Sequence, residues 1–259
     1  MARDRSLVRI LGFPGTLLHG DTGVLDRWLW LRKRLPRTRN GEKAIDVGCG
    51  SGAFSIGAAL RGYDVLGLSW DERNQSVAME RARRCNARSA AFEVLDVRNL
   101  DSRGDLRSRY DVAICCETIE HIIDDRKLVR DIAACLKPGG RLLLTTPWFH
   151  YRPITAEDDG PFHAIEDGRH VRRGYTGDSL KGLCDAAGLV VDETSFCTGV
   201  LSQKLIGLQR TVSRLHPLVG WAAVLPLRPF PPLVDGAITR MLRWPYYSIG
   251  IQAHKPRSA

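Results

Sequence analysis

Residues 44–54 read Ala-Ile-Asp-Val-Gly-Cys-Gly-Ser-Gly-Ala-Phe, and this stretch decides the fold. An apolar run leads into Gly48, Gly50 and Gly52, and a stretch with helical spacing follows them. Glycine lacks the Cβ that would keep a ligand from the backbone, and the first turn of a helix offers free N–H groups. The pattern therefore predicts a buried strand, a tight turn and a helix that together cradle a nucleotide or nucleoside.

Short apolar runs alternate with helical stretches from residue 43 to residue 146. This alternation is typical of a parallel sheet covered by helices, so we predict an α/β fold. The predicted strands are 43–47, 64–68, 91–95, 111–115, 141–146, 189–196 and 247–253. The predicted helices are 24–35, 51–61, 71–87, 124–136 and 177–187. Residues 151–176 show no period and predict a long loop, whereas 199–245 predict a helical insertion broken by prolines.

The composition excludes several classes of protein. The chain has 259 residues, of which 44% are hydrophobic and 26% are charged, so it is not a disordered, collagenous or disulfide-scaffold protein. Its 7 cysteines include no Cys-x-x-Cys pair, which predicts free thiols and a cytoplasmic protein. The N-terminus is a poor secretory signal, and prolines and glycines interrupt the apolar segment 217–238, so we expect no spanning helix.

The charge of the chain is positive but scattered. The 38 Lys and Arg residues exceed the 29 Asp and Glu residues, which gives a net charge of +9. The basic runs are short, and no series of aromatic residues is interleaved with them. Such a distribution is typical of a solvated surface, so we expect no nucleic-acid partner.

The glycines alone do not identify the ligand of the predicted turn. Gly48-x-Gly50-x-x-Ala53 also fits the loose dinucleotide fingerprint. However, Asp46 stands just before the first glycine, where a carboxylate suits a cationic amino-acid group better than a pyrophosphate. Asp96 follows the third predicted strand, where it could accept a hydrogen bond from the exocyclic amine of a purine. The two carboxylates therefore argue against a dinucleotide.

Further sequence motifs resemble those of a known family. Together with the glycine turn and Asp96, these motifs cover residues 43–147 without a gap, and they resemble the class I S-adenosylmethionine-dependent methyltransferases of the small-molecule group. The resemblance implies a doubly wound, mostly parallel seven-stranded sheet with an antiparallel last strand and a helical cap insertion. The matching runs are 110–121, which ends in Glu117-Thr-Ile-Glu120-His121, then Leu136-Lys-Pro-Gly-Gly140, Thr145-Thr146-Pro147 and, more weakly, 170–176 with 187–189.

We expect residues 1–259 to form a single methyltransferase domain. In this interpretation, 1–40 is an N-terminal helical cover and 41–147 is the cofactor-binding core. Residues 148–245 then supply the acceptor loop, a helix and strand, and the cap, and 246–259 supply the last strand and the tail.

The resemblance also implies which residues bind the cofactor, S-adenosylmethionine. One position departs from the family, because these enzymes usually carry an acidic ribose ligand after the second strand, where this chain has Ser69 followed by Trp70. A hydroxyl forms fewer hydrogen bonds than a carboxylate, and Asp71 is either a further ribose ligand or a helix N-cap. The residues expected at the methionine part are Asp46, Gly48, Cys49, Gly50, Gly52 and Glu117, and those expected at the adenine are Asp96 and Val97.

A base is the remaining chemical requirement, because methyl transfer to a hydroxyl also removes a proton. His121 is the first candidate, since it follows the fourth strand with Glu117, at the edge where α/β sheets bind ligands. The alternative is a histidine that only packs on the cofactor. Glu117 itself and His163 in the long loop are the further catalytic candidates. The loop histidines have no regular ligand spacing, so we expect no metal.

Residues 148–176 and 199–245 are expected to form the acceptor site. The second segment is unusually apolar, and its prolines prevent a single helix that would bury one regular stripe. Its side chains could be covered by the outer helices of the sheet or by a second copy in a homodimer. They could instead contact a lipid-like acceptor or a membrane surface, helped by Arg210, Arg214, Arg228, Arg240 and Arg243.

The sequence thus predicts methyl transfer from S-adenosylmethionine to a small-molecule or lipid-like acceptor, at oxygen. A nicotinamide-dependent oxidoreductase of the same fold is one alternative, and Asp46, Asp96 and Ser69 disfavour it. A non-catalytic protein that binds the cofactor or a nucleic acid is the other alternative, and the intact glycines argue against the loss of cofactor binding.

Overall fold

A computed structural model describes residues 2–20 and 22–257, so the two ends of the predicted domain, Met1 and Ser258–Ala259, lie outside it. Helices and strands alternate through the middle of the chain, as the sequence predicts. The helices are α1 (Ala2–Leu11), α2 (Phe13–His19), α3 (Thr22–Arg34), α4 (Ala53–Ala59), α5 (Glu72–Arg84), α6 (Asp125–Cys135), α7 (Gly177–Ala186), α8 (Val200–Ser213), α9 (Pro217–Val224) and α10 (Pro231–Met241). The strands are β1 (Lys43–Val47), β2 (Asp64–Ser69), β3 (Ala90–Val94), β4 (Tyr110–Cys116), β5 (Leu136–Pro147), β6 (Val190–Cys197) and β7 (Ser248–His254).

The seven strands form one sheet in the order β3-β2-β1-β4-β5-β7-β6. Strands β1 to β5 are parallel, and β7 runs antiparallel between β5 and β6. Strand β1 lies where the order reverses, with Asp46 opposite Gly67 of β2 and Ile114 of β4. In such sheets the ligand binds at the carboxyl ends of the strands beside this reversal. The predicted doubly wound, mostly parallel sheet is confirmed.

Each central strand contributes side chains to two hydrophobic cores. Neighbouring residues of a strand point to opposite faces, so Ala44 and Ile45 enter different cores. One core packs the sheet against α6 and α7, and the other packs it against α3 and α4. Burial on both faces explains why these strands are continuous apolar runs in the sequence.

Strand β5 differs from its predicted bounds. The sequence predicts a strand over 141–146 because Pro138, Gly139 and Gly140 are typical of a turn. In the structure the strand starts at Leu136, which pairs with Tyr110, and the register shifts before Arg141 pairs with Val112. Gly139 has a φ of 81°, so the chain still bends at the predicted glycines. The C-terminal tail pairs with this segment, because Gly139 N donates to the Lys255 carbonyl at 2.8 Å and Lys255 N donates to the Gly140 carbonyl at 2.8 Å.

Helices α8, α9 and α10 form the cap, and the cap packs on the N-terminal helices. Helix α8 contacts α3, and Trp221 of α9 donates its Nε1–H to the Leu18 carbonyl at 2.8 Å. The guanidinium of Arg228 donates to the same carbonyl and is buried. The expectation that Arg228 lies on the surface is therefore wrong: its side chain holds the cap against α2.

The cap also presents an apolar surface, which we call the cap surface. Trp221 and Val224 are buried, so the fold itself covers part of the apolar segment. Other large side chains point outward, and the most exposed are Leu215 at 85% and Leu233 at 78%. The exposed residues of the cap surface are Leu215, Leu218, Val219, Leu227, Phe230, Leu233, Val234, Met241 and Leu242.

Two further predictions concern the cysteines and the membrane. All seven cysteines lie in the described ranges and are free thiols, as expected. Among the described residues, no helix has the length and apolarity needed to cross a membrane.

A buried carboxylate lies in α3, which packs against the cap. Asp26 Oδ2 is buried and has no hydrogen-bond partner within residues 2–20 and 22–257. Burial raises the pKa of Asp26 to about 7, well above the ordinary value of an aspartate. Since the folded pKa lies above the unfolded pKa, ionisation of Asp26 disfavours the folded state as the pH rises from about 4 to about 7.

The stability of the Asp26→Asn variant relative to the native protein is therefore expected to be greater at pH 8 than at pH 5. The difference in unfolding free energy between variant and native protein should grow by about 1–3 kcal/mol between these two values. Urea unfolding at both pH values measures it, with Asp64→Asn, an exposed carboxylate at the start of β2, as the control. If the difference in unfolding free energy is the same at both pH values, the raised pKa of Asp26 is contradicted.

Candidate active site

The glycine turn after β1 adopts the conformation that the sequence predicts. Gly48, Gly50 and Gly52 have φ angles of 82°, 50° and 80°, in the region that side-chain-bearing residues rarely adopt. A Cβ on Gly48 would lie 2.2 Å from Thr118 Oγ1, and a Cβ on Gly52 would lie 2.8 Å from the Cβ of Ala78. A Cβ on Gly50 would meet nothing within 4 Å, because this glycine faces open space.

That space is a cavity of about 180 Å³ between the glycine turn and the N-terminal helices. Its walls carry opposite charges, since the Arg27 guanidinium lies 3.5 Å from Glu117 Oε2. The backbone of Glu117 has a φ of 50°, a strained conformation for this residue type. The lining residues are Thr16, His19, Gly20, Val24, Arg27, Gly48, Cys49, Gly50, Ser51, Ala53, Phe54, Arg81, Cys116 and Glu117.

Asp46 lies beneath the turn and does not line this cavity. Its carboxylate accepts a hydrogen bond from Ser55 Oγ at 2.6 Å, and its side chain is buried. Burial raises the pKa of Asp46 to about 6. In the structure this carboxylate therefore ties the end of β1 to the first turns of α4.

The residues predicted at the ribose follow β2. Ser69 is buried, and its Oγ accepts a hydrogen bond from Asp71 N at 3.4 Å. Asp71 accepts hydrogen bonds from Arg73 N and Asn74 N, so its predicted role as an N-cap of a helix is confirmed. The indole of Trp70 is exposed, with Gly168 of the long loop beside it.

Asp96 and Val97 follow β3, where the adenine is expected. Val97 is buried, whereas Asp96 is engaged with a neighbour. The Asp96 carboxylate accepts hydrogen bonds from Arg98, which keeps the pKa of this carboxyl below its usual range. Arg98 also forms an ion pair with Glu166 at 2.7 Å. The long loop is thereby attached to the edge of the sheet at which adenine is expected.

The segment after β4 brings together residues that are distant in sequence. Glu120 is fully buried, and its Oε2 accepts a hydrogen bond from Thr146 Oγ1 at 3.1 Å. The ring of His121 meets the ring of His170 edge-on, with centroids 4.7 Å apart. Burial, with His121 beside it, lowers the pKa of His170 to about 4. His163 joins this region through its backbone N–H, which donates to the His170 carbonyl at 3.0 Å.

The sequence does not predict two of these contacts. Arg27 belongs to the helix predicted over 24–35, and the structure places its guanidinium beside Glu117. His170 belongs to the predicted long loop, and the structure places its ring against that of His121. Neither contact has a local signal in the sequence.

Comparison with known proteins agrees with this geometry. Residues 24–194 match a family model described as a methyltransferase domain, which is more than half of the chain. The chain belongs to the class I S-adenosylmethionine-dependent methyltransferases. The match includes the glycine turn, the ends of β2, β3 and β4, and the long loop of this methyltransferase.

Curated relatives match this methyltransferase over part of their length. The ubiquinone biosynthesis O-methyltransferase of Marinobacter nauticus is 38% identical over 110 residues, which are 41% of this chain and 44% of the relative. That of Acinetobacter baumannii is 33% identical over 106 residues, again 44% of the relative. The aligned region thus spans less than half of either relative.

Solved structures share the fold at low sequence identity. Phosphoethanolamine N-methyltransferase 2 of Haemonchus contortus superposes with a TM-score of 0.65 at 17% identity, over 98% of this chain and 60% of that one. The cyclase SpnF superposes with a TM-score of 0.60 at 21% identity, over 91% of this chain and 82% of that one. One of the two is named a cyclase, so the fold alone does not identify the reaction.

Proposed function

We propose that this protein transfers a methyl group from S-adenosylmethionine to a hydroxyl of a small or lipid-like molecule. The carrying observation is the cavity that joins the glycine turn to Arg27 and Glu117. Its two charges suit the amino-acid part of the cofactor, which has a carboxylate and an ammonium group. The names of the curated relatives support oxygen as the target atom.

The residues present fit this cofactor. Gly50 leaves room for a ligand to approach the backbone, Arg27 is placed to bind a carboxylate, and Glu117 is placed to bind an ammonium. Asp96 and Val97 would hold the adenine, and Ser69 with Trp70 would contact the ribose. Asp46 would act by positioning the turn through Ser55. When bound, the cofactor supplies an activated methyl group on sulfur.

The first expected result is that the protein binds S-adenosylmethionine and S-adenosylhomocysteine with micromolar affinity and does not bind NADH. Gly50→Val should abolish binding, because the new side chain enters the cavity. Gly41→Val is the matched control, since Gly41 also has positive φ and open space but lies outside the cavity. Calorimetry measures the affinity of the native protein, Gly50→Val and Gly41→Val for each ligand.

In the same titrations, Asp96→Ala should weaken binding by about 1–3 kcal/mol, and Ser69→Ala by about 0.5–1.5 kcal/mol. A larger loss for Ser69→Ala would reverse the placement of adenine and ribose. Heat from NADH without heat from S-adenosylmethionine would replace the proposal by an oxidoreductase. Retention on RNA at low salt, lost at high salt, would instead favour the nucleic-acid-binding alternative.

We further propose that His121 acts on the hydroxyl of the acceptor. In the reaction the S–CH₃ bond breaks, an O–CH₃ bond forms, S-adenosylhomocysteine leaves and the hydroxyl proton is removed. His121 Nδ1 is buried and finds no hydrogen-bond partner in the described structure, so a ring nitrogen is available. Glu117 faces the cofactor cavity, and the contact of His163 with this region is a backbone hydrogen bond, so we rank His121 first among the three.

His121→Ala is expected to lower kcat by roughly 10²–10⁴ while the affinity for S-adenosylhomocysteine stays nearly unchanged. Steady-state assays with a catechol or phenol series, together with calorimetry, measure the two quantities. His254→Gln at the far end of β7 is the control, because His254 is paired with Asp192. Equal losses of turnover and cofactor affinity would identify His121 as a packing residue.

We also infer that the cap surface docks on an anionic membrane, from which a lipid-like acceptor enters. Of the six basic residues in 199–245, Arg228 is buried, and Arg210 and Arg214 form ion pairs with acidic residues of the long loop. The one acidic residue of this segment, Asp235, is buried. Arg240 and Arg243 are exposed next to Met241 and Leu242. A surface that combines apolar side chains with unbalanced positive charge suits anionic lipid headgroups.

Phe230→Asp with Leu233→Asp should lower co-sedimentation with phosphatidylglycerol vesicles by at least about tenfold, because charged residues replace the apolar contact. Met79→Asp, an exposed apolar position on α5, is the control and should sediment as the native protein does. Equal binding to phosphatidylcholine vesicles would remove the electrostatic part of the proposal. A concentration-dependent dimer that the double variant abolishes, without vesicle binding, would assign the cap surface to a second copy.

A further inference from the structure

The interface between α3 and α8 contains polar atoms that the fold leaves unpaired. Thr22 and Asp26 lie about one helical turn apart on α3, whereas Thr198 and Ser202 lie at the start of α8. Within residues 2–20 and 22–257 the buried side-chain atoms without a hydrogen-bond partner include Thr22 Oγ1, Asp26 Oδ2, Thr198 Oγ1 and Ser202 Oγ. Each unpaired buried atom costs free energy, so this interface is a weak contact in the fold.

The other side of α8 is held firmly by α10. Asp235 Oδ1 accepts a hydrogen bond from Leu201 N at 2.8 Å, and Asp235 Oδ2 accepts one from Ser202 N at 3.2 Å. A Cβ on Gly199 would lie 2.3 Å from Thr239 Oγ1, so no gap separates the two helices. Helices α8 and α10 therefore form one unit, and α3 is the side from which this unit can separate.

Helix α3 also closes the cofactor cavity. Arg27, the residue after Asp26, lines this cavity, and its guanidinium lies 3.5 Å from Glu117 Oε2. The inference rests on the proposed function here, since the amino-acid part of the cofactor is expected to insert between these two charges. Arg27 and Glu117 have to part for the cofactor to enter, so α3 has to move.

We propose that the interface between α3 and α8 is a gate to the cofactor cavity, which a protonated Asp26 holds closed and an ionised Asp26 loosens. A protonated carboxyl has an O–H that can donate to the hydroxyl oxygen of Ser202 or Thr198. An ionised carboxyl is a buried negative charge close to Asp235, and separation of α3 from α8 lets water solvate this charge.

The charge of Asp26 changes near neutral pH while the gate is closed. Burial raises the pKa of Asp26 to about 7, and the neighbouring Asp235 acts in the same direction. The groups that act against this rise are Ser202, Arg27 and Thr198, and a further titratable group beside the carboxyl is Cys197 of β6. In an open, hydrated state the pKa falls toward the ordinary value of about 4. Opening therefore becomes about tenfold more favourable with each pH unit from about 4 to about 7 and changes little above pH 7.

Thiol labelling tests the gate without any ligand. Cys197 is buried beside Asp26, Cys85 on α5 is partly exposed, and Cys115 is buried in the core of the sheet. Iodoacetamide is added to the full-length native protein at pH 5 and at pH 8, and mass spectrometry follows each cysteine. The rate at Cys197 is divided by the rate at Cys85, which removes the common effect of pH on thiol reactivity. We expect this ratio to rise at least about tenfold from pH 5 to pH 8, while Cys115, which reports global unfolding, stays unlabelled.

Three variants assign the response to Asp26. Asp26→Asn cannot ionise, so its labelling ratio should change less than about threefold between the two pH values. Asp64→Asn, an exposed carboxylate at the start of β2, is the control and should give the native ratios. Ser202→Ala removes an acceptor for the protonated carboxyl and should raise the ratio at pH 5 about 2–10-fold, which keeps the test decisive should Asp26→Asn fail to fold. A native ratio that does not change with pH overturns the inference, as does an equal rise in Asp26→Asn.

Stopped-flow binding of S-adenosylhomocysteine links the gate to the cavity. The association and dissociation rates should both rise at least about tenfold from pH 5 to pH 8, whereas the affinity changes less than about threefold, because a gate alters access and not the bound state. Asp26→Asn should bind slowly at both pH values. The same pH dependence of the rates in Asp26→Asn would assign it to another group of the cavity, such as His19, and would overturn the inference. Native rates that ignore pH while the labelling ratio responds would equally overturn the link to the cavity. If S-adenosylhomocysteine does not bind at all, the proposed function fails, and the labelling ratios still decide whether the interface opens.

Discussion

The close contact between Gly48 and Thr118 determines the geometry of the site. No side chain fits at position 48, because its Cβ would lie 2.2 Å from Thr118 Oγ1. Thr118 Oγ1 in turn is 3.4 Å from the Val47 carbonyl, to which it donates, so the ends of β1 and β4 are held together. Glu117, directly before Thr118, has positive φ and faces Arg27 across the cavity. The Arg27–Glu117 pair and the glycine turn therefore both depend on the absence of a side chain at Gly48.

The sheet could be predicted from the sequence because its signals are local. A strand buried on both faces is an uninterrupted apolar run, and Ala44-Ile45 and Val112-Ala113 each supply one residue to each core. The glycine turn was predictable for a similar reason, since three positive φ angles require three glycines. The start of β5 was not predictable. Gly139 has the positive φ of the predicted turn, but Gly139 and Gly140 also pair with Lys255, which is near the end of the chain and far away in sequence.

The functional side chains were only partly predictable. Glu117, Glu120 and His121 could be placed at the edge of the sheet, because the carboxyl ends of parallel strands meet there. The position of His170 could not, since it depends on the hydrogen bond from Val171 to the Glu120 carbonyl. The approach of Arg27 to Glu117 requires α3 to cross the end of β4. Contacts of this kind follow from tertiary packing, and no spacing in the sequence encodes them.

The cap and the first two helices lie outside the family match, which covers residues 24–194. The two parts contact each other, because Trp221 and Arg228 of the cap both donate to the Leu18 carbonyl. The family region thus contains the glycine turn, Arg27 and Glu117, whereas Thr16 and His19 of α2 line the same cavity from outside the match. Burial of Arg228 and the pairing of Arg210 with Asp158 leave Arg240 and Arg243 as exposed charges beside Met241 and Leu242. Long basic side chains next to apolar ones can keep their charge in water while their stems cover apolar surface. Arg240 and Arg243 therefore place positive charge next to exposed apolar side chains of the cap.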